Sequence, residues 1–232
     1  GELREGILRD NILNFYDRVF NLPNIEIIGV GTNLGCMYGV EPTYDKLIQL
    51  NLYEQLIEAK FGQNLELISA GSSVTLPFLT NNKLPRGINH FRVGEAAFIG
   101  SSPLNNKRFL NLSTNVFEFA AEILEIEKKS YIPDGTLIDG NVGHTANEEP
   151  ETAEYQESYR GIVDFGVLDV EVEELTCKSK DVKFFGTTSD MTVYDLGTNK
   201  ARFKVGGQIS FLPSYMAAAR LLNSKYVTVK VN

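Results

Sequence analysis

Long hydrophobic runs are missing from this 232-residue chain. No apolar stretch reaches the roughly 18 residues that a membrane helix requires, and the N-terminal GELREGILRD has no signal-peptide core. Cysteine is scarce. Cys36 and Cys177 form neither a CxxC motif nor a disulfide framework, which points to a reducing, cytoplasmic compartment. Positive charge is also short, with 22 Lys and Arg against 30 Asp and Glu and a net charge of −8. No basic stripe interleaves with aromatics, so a nucleic-acid backbone is excluded as the main partner. His90 and His144 are the only histidines. Without H-E-x-x-H or paired cysteines no metal site is expected, and HTANEE (144–149) reads as solvated loop. The esterase motif G-x-S-x-G is absent from AGSSVT. Repeats and low-complexity tracts are lacking too. What remains, 43% hydrophobic and 22% charged, suits one large or two modest soluble domains.

The apolar positions Ile12, Phe15, Tyr16, Val19 and Phe20 have helical spacing, with Asp10 or Asn11 as cap and Pro23 beyond the end. IEIIGVG (25–31) reads as a strand. A second helix runs from Thr43 to about Lys60, burying Leu47, Leu50, Tyr53, Leu56 and Ile57 and closing on Gly62. LELIS (65–69) is the next strand, SSVTLPFLTNN a helical turn, and INHFRV (88–93) a third strand. Alternating strands and helices with short links predict a parallel sheet covered on both faces. From residue 113 the pattern changes to short alternating strands between Gly, Asn, Pro and Asp turns, an antiparallel β domain. The polar, acidic stretch 134–158 reads as a long surface loop. The expected architecture is α/β plus β: a partial (β/α) barrel over 1–112 and a C-terminal β domain over 113–232. A closed (β/α)8 barrel needs about 250 residues. Residue 1 is Gly and the first element a helix, so the chain is expected to be the C-terminal portion of a longer protein.

The ends of the three strands carry GTN, AGSS and RVGE. In parallel α/β folds those ends form the active face. Gly71, Ser72 and Ser73 offer amides and hydroxyls, and the amides of Gly94 and Glu95 open a short helical turn, a pattern suited to phosphate. Plain turns use the same residues, but two such loops at one sheet edge favour an anion. By the same reasoning Arg92 is either a rim salt bridge or a grip on something anionic.

LREGIL (3–8), IIGVGTNLGC (27–36), LISAGSS…LP (67–77), LPRGINHFRVGEAAFIG (84–100) and FFGTTSDMTVYDL (184–196) resemble the C-terminal portion of pyridoxal-phosphate-dependent amino-acid racemases of the alanine racemase superfamily (fold type III). Within it they are most similar to the ornithine-racemase-like branch. The resemblance spans nearly the whole chain, loosest over 100–158. It implies the C-terminal half of a TIM-type barrel followed by a β domain, with pyridoxal 5'-phosphate as cofactor, an amino acid as substrate and a homodimer as assembly. By position, Arg92 matches the arginine facing the pyridine nitrogen, a cation that keeps its proton and offers no acceptor. Gly94 and Glu95 match the amides at the phosphate, and Ser72 or Ser73 the serine beside them. Arg4 matches an arginine near the ring's phenolic oxygen, where residue chemistry alone suggests a surface charge. Asn33 stands where alanine racemases have a histidine.

The departures are equally specific. The family's cofactor-bearing lysine lies on the first barrel strand, which this chain lacks, so the isolated chain is expected to be inactive. In FGVLD (165–169) Val167 replaces the tyrosine that serves alanine racemases as a base. The remaining candidates for the opposite-face acid/base are Cys36 and Tyr215; a buried small hydrophobe and ordinary core are their plainer roles. A non-catalytic pyridoxal-phosphate carrier, a phosphosugar-binding barrel enzyme and an interaction fragment are the alternatives. The carrier would lack the lysine in its full-length gene, the phosphosugar enzyme would lack cofactor absorbance, and the fragment would bind no phosphate at 72–73 and 94–95.

Overall fold

Ile12 and Tyr16 lie on the buried face of the first helix, α1 (Ile12–Val19), in a cluster with Ile57 and Leu65. The computed structural model describes residues 1–136, 138, 143–146 and 157–231. Most of the expected loop 134–158, including residues 147–149 of HTANEE, lies outside the described residues. Asn11 makes no side-chain cap on α1. A 3-10 turn, Arg9–Asn11, precedes the helix, and Ile12 already donates its N–H to the Arg9 carbonyl. Phe15, expected inside, is 41% exposed.

The strand expected over 25–31 narrows to β1 (Gly29–Gly31), with Ile25 and Ile28 exposed before it. Thr43 caps α2 (Tyr44–Phe61), its Oγ1 accepting the Lys46 N–H at 3.3 Å, and Gly62 ends it at φ +65°. Leu47, Leu50 and Ile57 are buried as expected, but Leu56 is exposed and Glu54 is buried in its stead. At 3.6 residues per turn, position 54 follows 47 and 50 on one face and 56 does not. Burial and the neighbouring Glu58 carboxylate both hold the Glu54 acid above its ordinary pKa.

β2 (Leu67–Ser72) pairs in parallel with β1 on one side and β3 (His90–Arg92) on the other. A 3-10 turn (Ser73–Thr75) and α3 (Pro77–Thr80) connect β2 to β3. The order β1-β2-β3 runs in chain sequence, as the wall of a (β/α) barrel does. Leu34, Leu47, Leu50, Ile68, Ala70 and Ile88 form its core. α4 (Glu95–Ile99) and the hairpin β4 (Ser101–Ser102) and β5 (Lys107–Arg108) complete this unit, Gly1–Val116. Gly100 ends α4 at φ +73°, and a Cβ there would lie 2.0 Å from the Ser113 carbonyl oxygen. Gly100→Ala combines a left-handed backbone with a backbone clash, so it should cost about 2 kcal/mol or more, measured by urea unfolding.

Among its described residues the second unit, Phe117–Asn232, has an antiparallel sheet of seven strands in the order β7-β10-β11-β8-β6-β12-β9. These are β6 (Phe119–Ser130), β7 (His144–Thr145), β8 (Glu157–Val163), β9 (Leu175–Cys177), β10 (Lys183–Thr187), β11 (Thr192–Asp195) and β12 (Gln208–Pro213). In β6, Phe119, Ala121 and Ile123 are buried while Ala120, Glu122 and Leu124 are exposed, the period of two that the sequence shows. The first three pack with Val163, Phe165, Tyr194, Ile209 and Phe211. Phe165 stands edge-on to Phe119 and Phe211, ring centroids 5.2 and 5.7 Å away. One helix was not expected: α5 (Tyr215–Asn223), which adds Ala217 and Leu221 to this core. Its start is marked by Pro213 and by Ser214, whose Oγ accepts the Ala217 N–H at 3.1 Å.

Candidate functional site

The three parallel strands end side by side, which brings the loops at their C-terminal ends together. Arg92, last residue of β3, lies in register with Ser72 at the end of β2. Its guanidinium reaches back across the sheet. One terminal nitrogen donates to Ser69 Oγ, the other to the Thr32 carbonyl at 3.1 Å and to Asn33 Oδ1 at 3.4 Å. Among the described residues Arg92 makes no salt bridge, so the rim ion pair is replaced by a cation held by neutral acceptors. His90 Nδ1 lies 3.0 Å from the same Ser69 Oγ. The Ser69 hydroxyl, with one proton to donate and two lone pairs to accept, joins Arg92 and His90. His90 thus belongs to the Arg92 network.

Ser72 and Ser73, interchangeable in the sequence, are separated here. Ser73 is 3% exposed and its Oγ accepts the Ala96 N–H at 3.0 Å, tying α4 to the end of β2. Ser72 is half-buried, and its hydroxyl has no hydrogen bond among the described residues. Gly94 caps α4 and Glu95 is its first residue. Their amides belong to its first turn, and the amides of Ala97 and Phe98 return to the Gly94 carbonyl.

The loop after β1 supplies the other side. Asn33 sits there, and Cys36 is exposed, which removes its reading as a buried hydrophobe. Arg4 donates to Cys36 Sγ at 3.3 Å and pairs in fork fashion with Glu5, one of the two bonds being 2.8 Å. That pairing raises the already high Arg4 pKa and draws Glu5 down to about 2. Glu2, which sequence reasoning passed over, is 4% exposed and accepts the N–H groups of Cys36, Tyr38 and Val40 at 3.1, 2.5 and 2.9 Å. Burial pushes its pKa up, but those amides outweigh burial and leave it lowered. A cleft of about 770 Å³ is lined by Arg4, Glu5, Thr32, Asn33, Lys46 and Arg92 among others. Tyr215 is not part of this assembly within the first unit; it opens α5 of the second.

Chemically the strand ends are rich in donors and poor in acceptors: a fixed guanidinium, a hydroxyl and the amides of a helical first turn. Such a set fits an aromatic nitrogen acceptor joined to a phosphate. Among the described residues no three of His, Cys, Asp and Glu gather where they could hold a metal ion, and no helix is long and apolar enough to cross a membrane.

No protein-family model matches the chain. It is 28% identical over 232 residues to an ornithine racemase of Acetoanaerobium sticklandii and 31% identical over 228 residues to a lysine racemase of Thermotoga maritima. Each alignment covers 98% of this chain, but only 64% and 62% of the relatives. Among solved structures, alanine racemase from Corynebacterium glutamicum superposes with a TM-score of 0.62 at 19% identity, covering 95% of this chain and 58% of that one. Alanine racemase from Bartonella henselae, with covalently bound pyridoxal phosphate, gives 0.59 at 14% identity over 90% of this chain and 54% of that one. The fold is therefore one found within alanine racemases, and the relatives lie in the ornithine-racemase-like branch that the motifs resemble.

Proposed function

We infer that the chain is part of a pyridoxal-phosphate-dependent amino-acid racemase of the alanine racemase superfamily, acting on a basic amino acid as its ornithine and lysine racemase relatives are named to do. The observation that carries this reading is Arg92, a guanidinium fixed at a strand end by Ser69, Thr32 and Asn33. Bound pyridoxal phosphate supplies the electron withdrawal that acidifies the α-proton of an amino acid. The chain's own residues supply the seat. Arg92 presents donors and no acceptor to the ring nitrogen, so it cannot pass that nitrogen a proton at working pH. Ser72 and the amides of Gly94 and Glu95 take the phosphate, while Ser73 holds α4 in place behind them. Arg4 takes the phenolic oxygen, its charge screened by Glu5. Of the two candidate acid/base groups, Cys36 stands beside Arg4 on the loop after β1, and Tyr215 opens α5 of the second unit. A homodimer in the cytoplasm accompanies this reading.

Two results are expected. The 232-residue chain binds pyridoxal phosphate saturably, competed by inorganic phosphate, and Ser72→Ala weakens it roughly tenfold, the worth of one charge-assisted hydrogen bond. The same chain does not interconvert the enantiomers of ornithine, lysine or alanine. Of its first unit's lysines, Lys46 and Lys60 lie in α2, Lys83 comes after α3 and Lys107 lies in β5; none sits at the end of a parallel strand. Turnover by this polypeptide alone, measured by chiral chromatography, would refute that second expectation.

A further inference from the structure

We propose that Glu2 is the positioning residue of the site, the group that sets Arg4 and the 32–40 loop against each other; this rests on the racemase reading. The segment around Glu2 is exposed on both sides, from Gly1 through Leu3, Arg4 and Glu5, yet Glu2 itself is buried. Its carboxylate turns inward to three amides of another segment, those of residues 36, 38 and 40. Cys36 and Tyr38 are exposed, so water could have served their amides at little cost. Taking a carboxylate out of water for them makes sense as a clamp rather than as a means of satisfying the backbone.

Both ends of the clamp carry parts of the site. Two residues beyond Glu2, Arg4 reaches Cys36 Sγ. On the other side, the clamped loop begins with Thr32, whose N–H bonds the Ser69 carbonyl and whose own carbonyl, with Asn33, holds Arg92. The loop is shaped to present its amides inward. Gly35 donates to the Val40 carbonyl at 2.8 Å and sits at φ +63°, where a Cβ would lie 2.7 Å from a Val74 methyl. Glu2 never touches Arg92 or Arg4, but the distance between those two guanidinium groups is set through it. An anionic Glu2 is required: Oε1 accepts the Cys36 and Val40 N–H groups and Oε2 that of Tyr38, so a neutral amide would turn its NH2 toward at least one N–H donor.

The test uses the 232-residue chain and its Glu2→Gln, Glu2→Asp and Arg4→Met variants, with pyridoxal phosphate and inorganic phosphate as probes. In the wild type, the amides of Tyr38 and Val40 should exchange slowly with solvent. Glu2→Gln should speed both tenfold or more while the Ile68 amide in β2 keeps its protection, which separates loop opening from unfolding. It should also weaken pyridoxal phosphate about tenfold and leave phosphate affinity unchanged, because the phosphate seat at 72 and 94–95 is not clamped by Glu2. Glu2→Asp, keeping the charge, should fall between. Arg4→Met should weaken pyridoxal phosphate to a similar degree without freeing the loop amides. Unchanged exchange in Glu2→Gln overturns the proposal, as does an opened loop with full pyridoxal phosphate affinity. Should the wild type bind no pyridoxal phosphate, the racemase reading fails, and the exchange of the Tyr38 and Val40 amides then decides the clamp by itself: faster in Glu2→Gln supports it, unchanged overturns it.

Discussion

Asp195→Asn lowers the stability of the second unit by about 3–5 kcal/mol, the cost of leaving a buried cation without its ionic partner. The cation is Arg160, 2% exposed on β8. Its guanidinium carbon lies 3.4 Å from the ring centroid of Phe185 and 4.3 Å from that of Tyr131, and one terminal nitrogen is 3.6 Å from Asp195 Oδ2. Among the described residues none of its three nitrogens has a hydrogen-bond acceptor. Asp195 meanwhile accepts the Tyr131 hydroxyl on one oxygen and the Gly197 N–H on the other, at 2.8 Å. The attraction to Arg160 is therefore charge across aromatic walls rather than a fork of hydrogen bonds. Removing the arginine instead should be mild: Arg160→Met is expected within about 1 kcal/mol of wild type or more stable, since an apolar side chain of similar length costs no desolvation. The two variants thus differ in size of effect and even in sign, which urea midpoints at constant slope will show. Equal losses would mean that Arg160 gains more from its rings than it loses in leaving water.

The same pair sets an acid limit. Burial pushes the Asp195 pKa up, but the Tyr131 hydroxyl, the Gly197 N–H and the Arg160 charge outweigh it and hold the group below its ordinary value. A depressed folded-state pKa contributes stability above the unfolded value, about 3.9, and that contribution is lost as pH falls through the folded-state value. Wild type should lose stability below about pH 4 by a share that Asp195→Asn does not show.

Elements were legible in the sequence where one local signal decided them. Thr43 and Gly62 bracket α2 because a hydroxyl cap and a left-handed glycine act within a turn of their own position. The alternation in β6 survives folding because one sheet face is core and the other is exposed. What was illegible depended on partners distant in sequence. The strand over 25–31 shrank because pairing with β2 begins only at Gly29, and Arg160 reads as a surface charge until β10 and β11 are placed around it. In the site, Arg92, Ser72 and Gly94 could be named in advance, since they lie at the ends of strands with a strong apolar pattern. Glu2 and Ser69 could not. One is an acid among acids near the chain's start, the other a serine within a strand, and only folding brings each to its partners, the amides at 36–40 and the guanidinium of Arg92. A weak signal for Glu2 was present in GELREG, an acid two residues before an arginine already singled out.

Arg92→Met should have the largest effect on ligand binding, lowering pyridoxal phosphate affinity about 10- to 100-fold. A hydrogen bond to a charged group contributes about 1.5–3 kcal/mol, and each 1.4 kcal/mol is about tenfold in affinity. Inorganic phosphate should bind the variant as it binds wild type, because the guanidinium is bonded to Ser69, Thr32 and Asn33 and makes no hydrogen bond to Ser72 or to the first turn of α4 among the described residues. Arg92→Lys should recover only part of the loss. An ammonium keeps the charge, but its compact head cannot span Ser69 on one side and Thr32 with Asn33 on the other, as the planar fork does. Ser69→Ala removes one of the three acceptors and leaves the guanidinium held from the Thr32 side, so its loss should be the smallest of the series. The order wild type, Ser69→Ala, Arg92→Lys, Arg92→Met in fluorescence titrations with pyridoxal phosphate, against a flat series with phosphate, is the signature of a guanidinium aimed at the ring. A parallel fall with both ligands would place Arg92 at the phosphate instead and return its strand end to the simpler role of an anion grip.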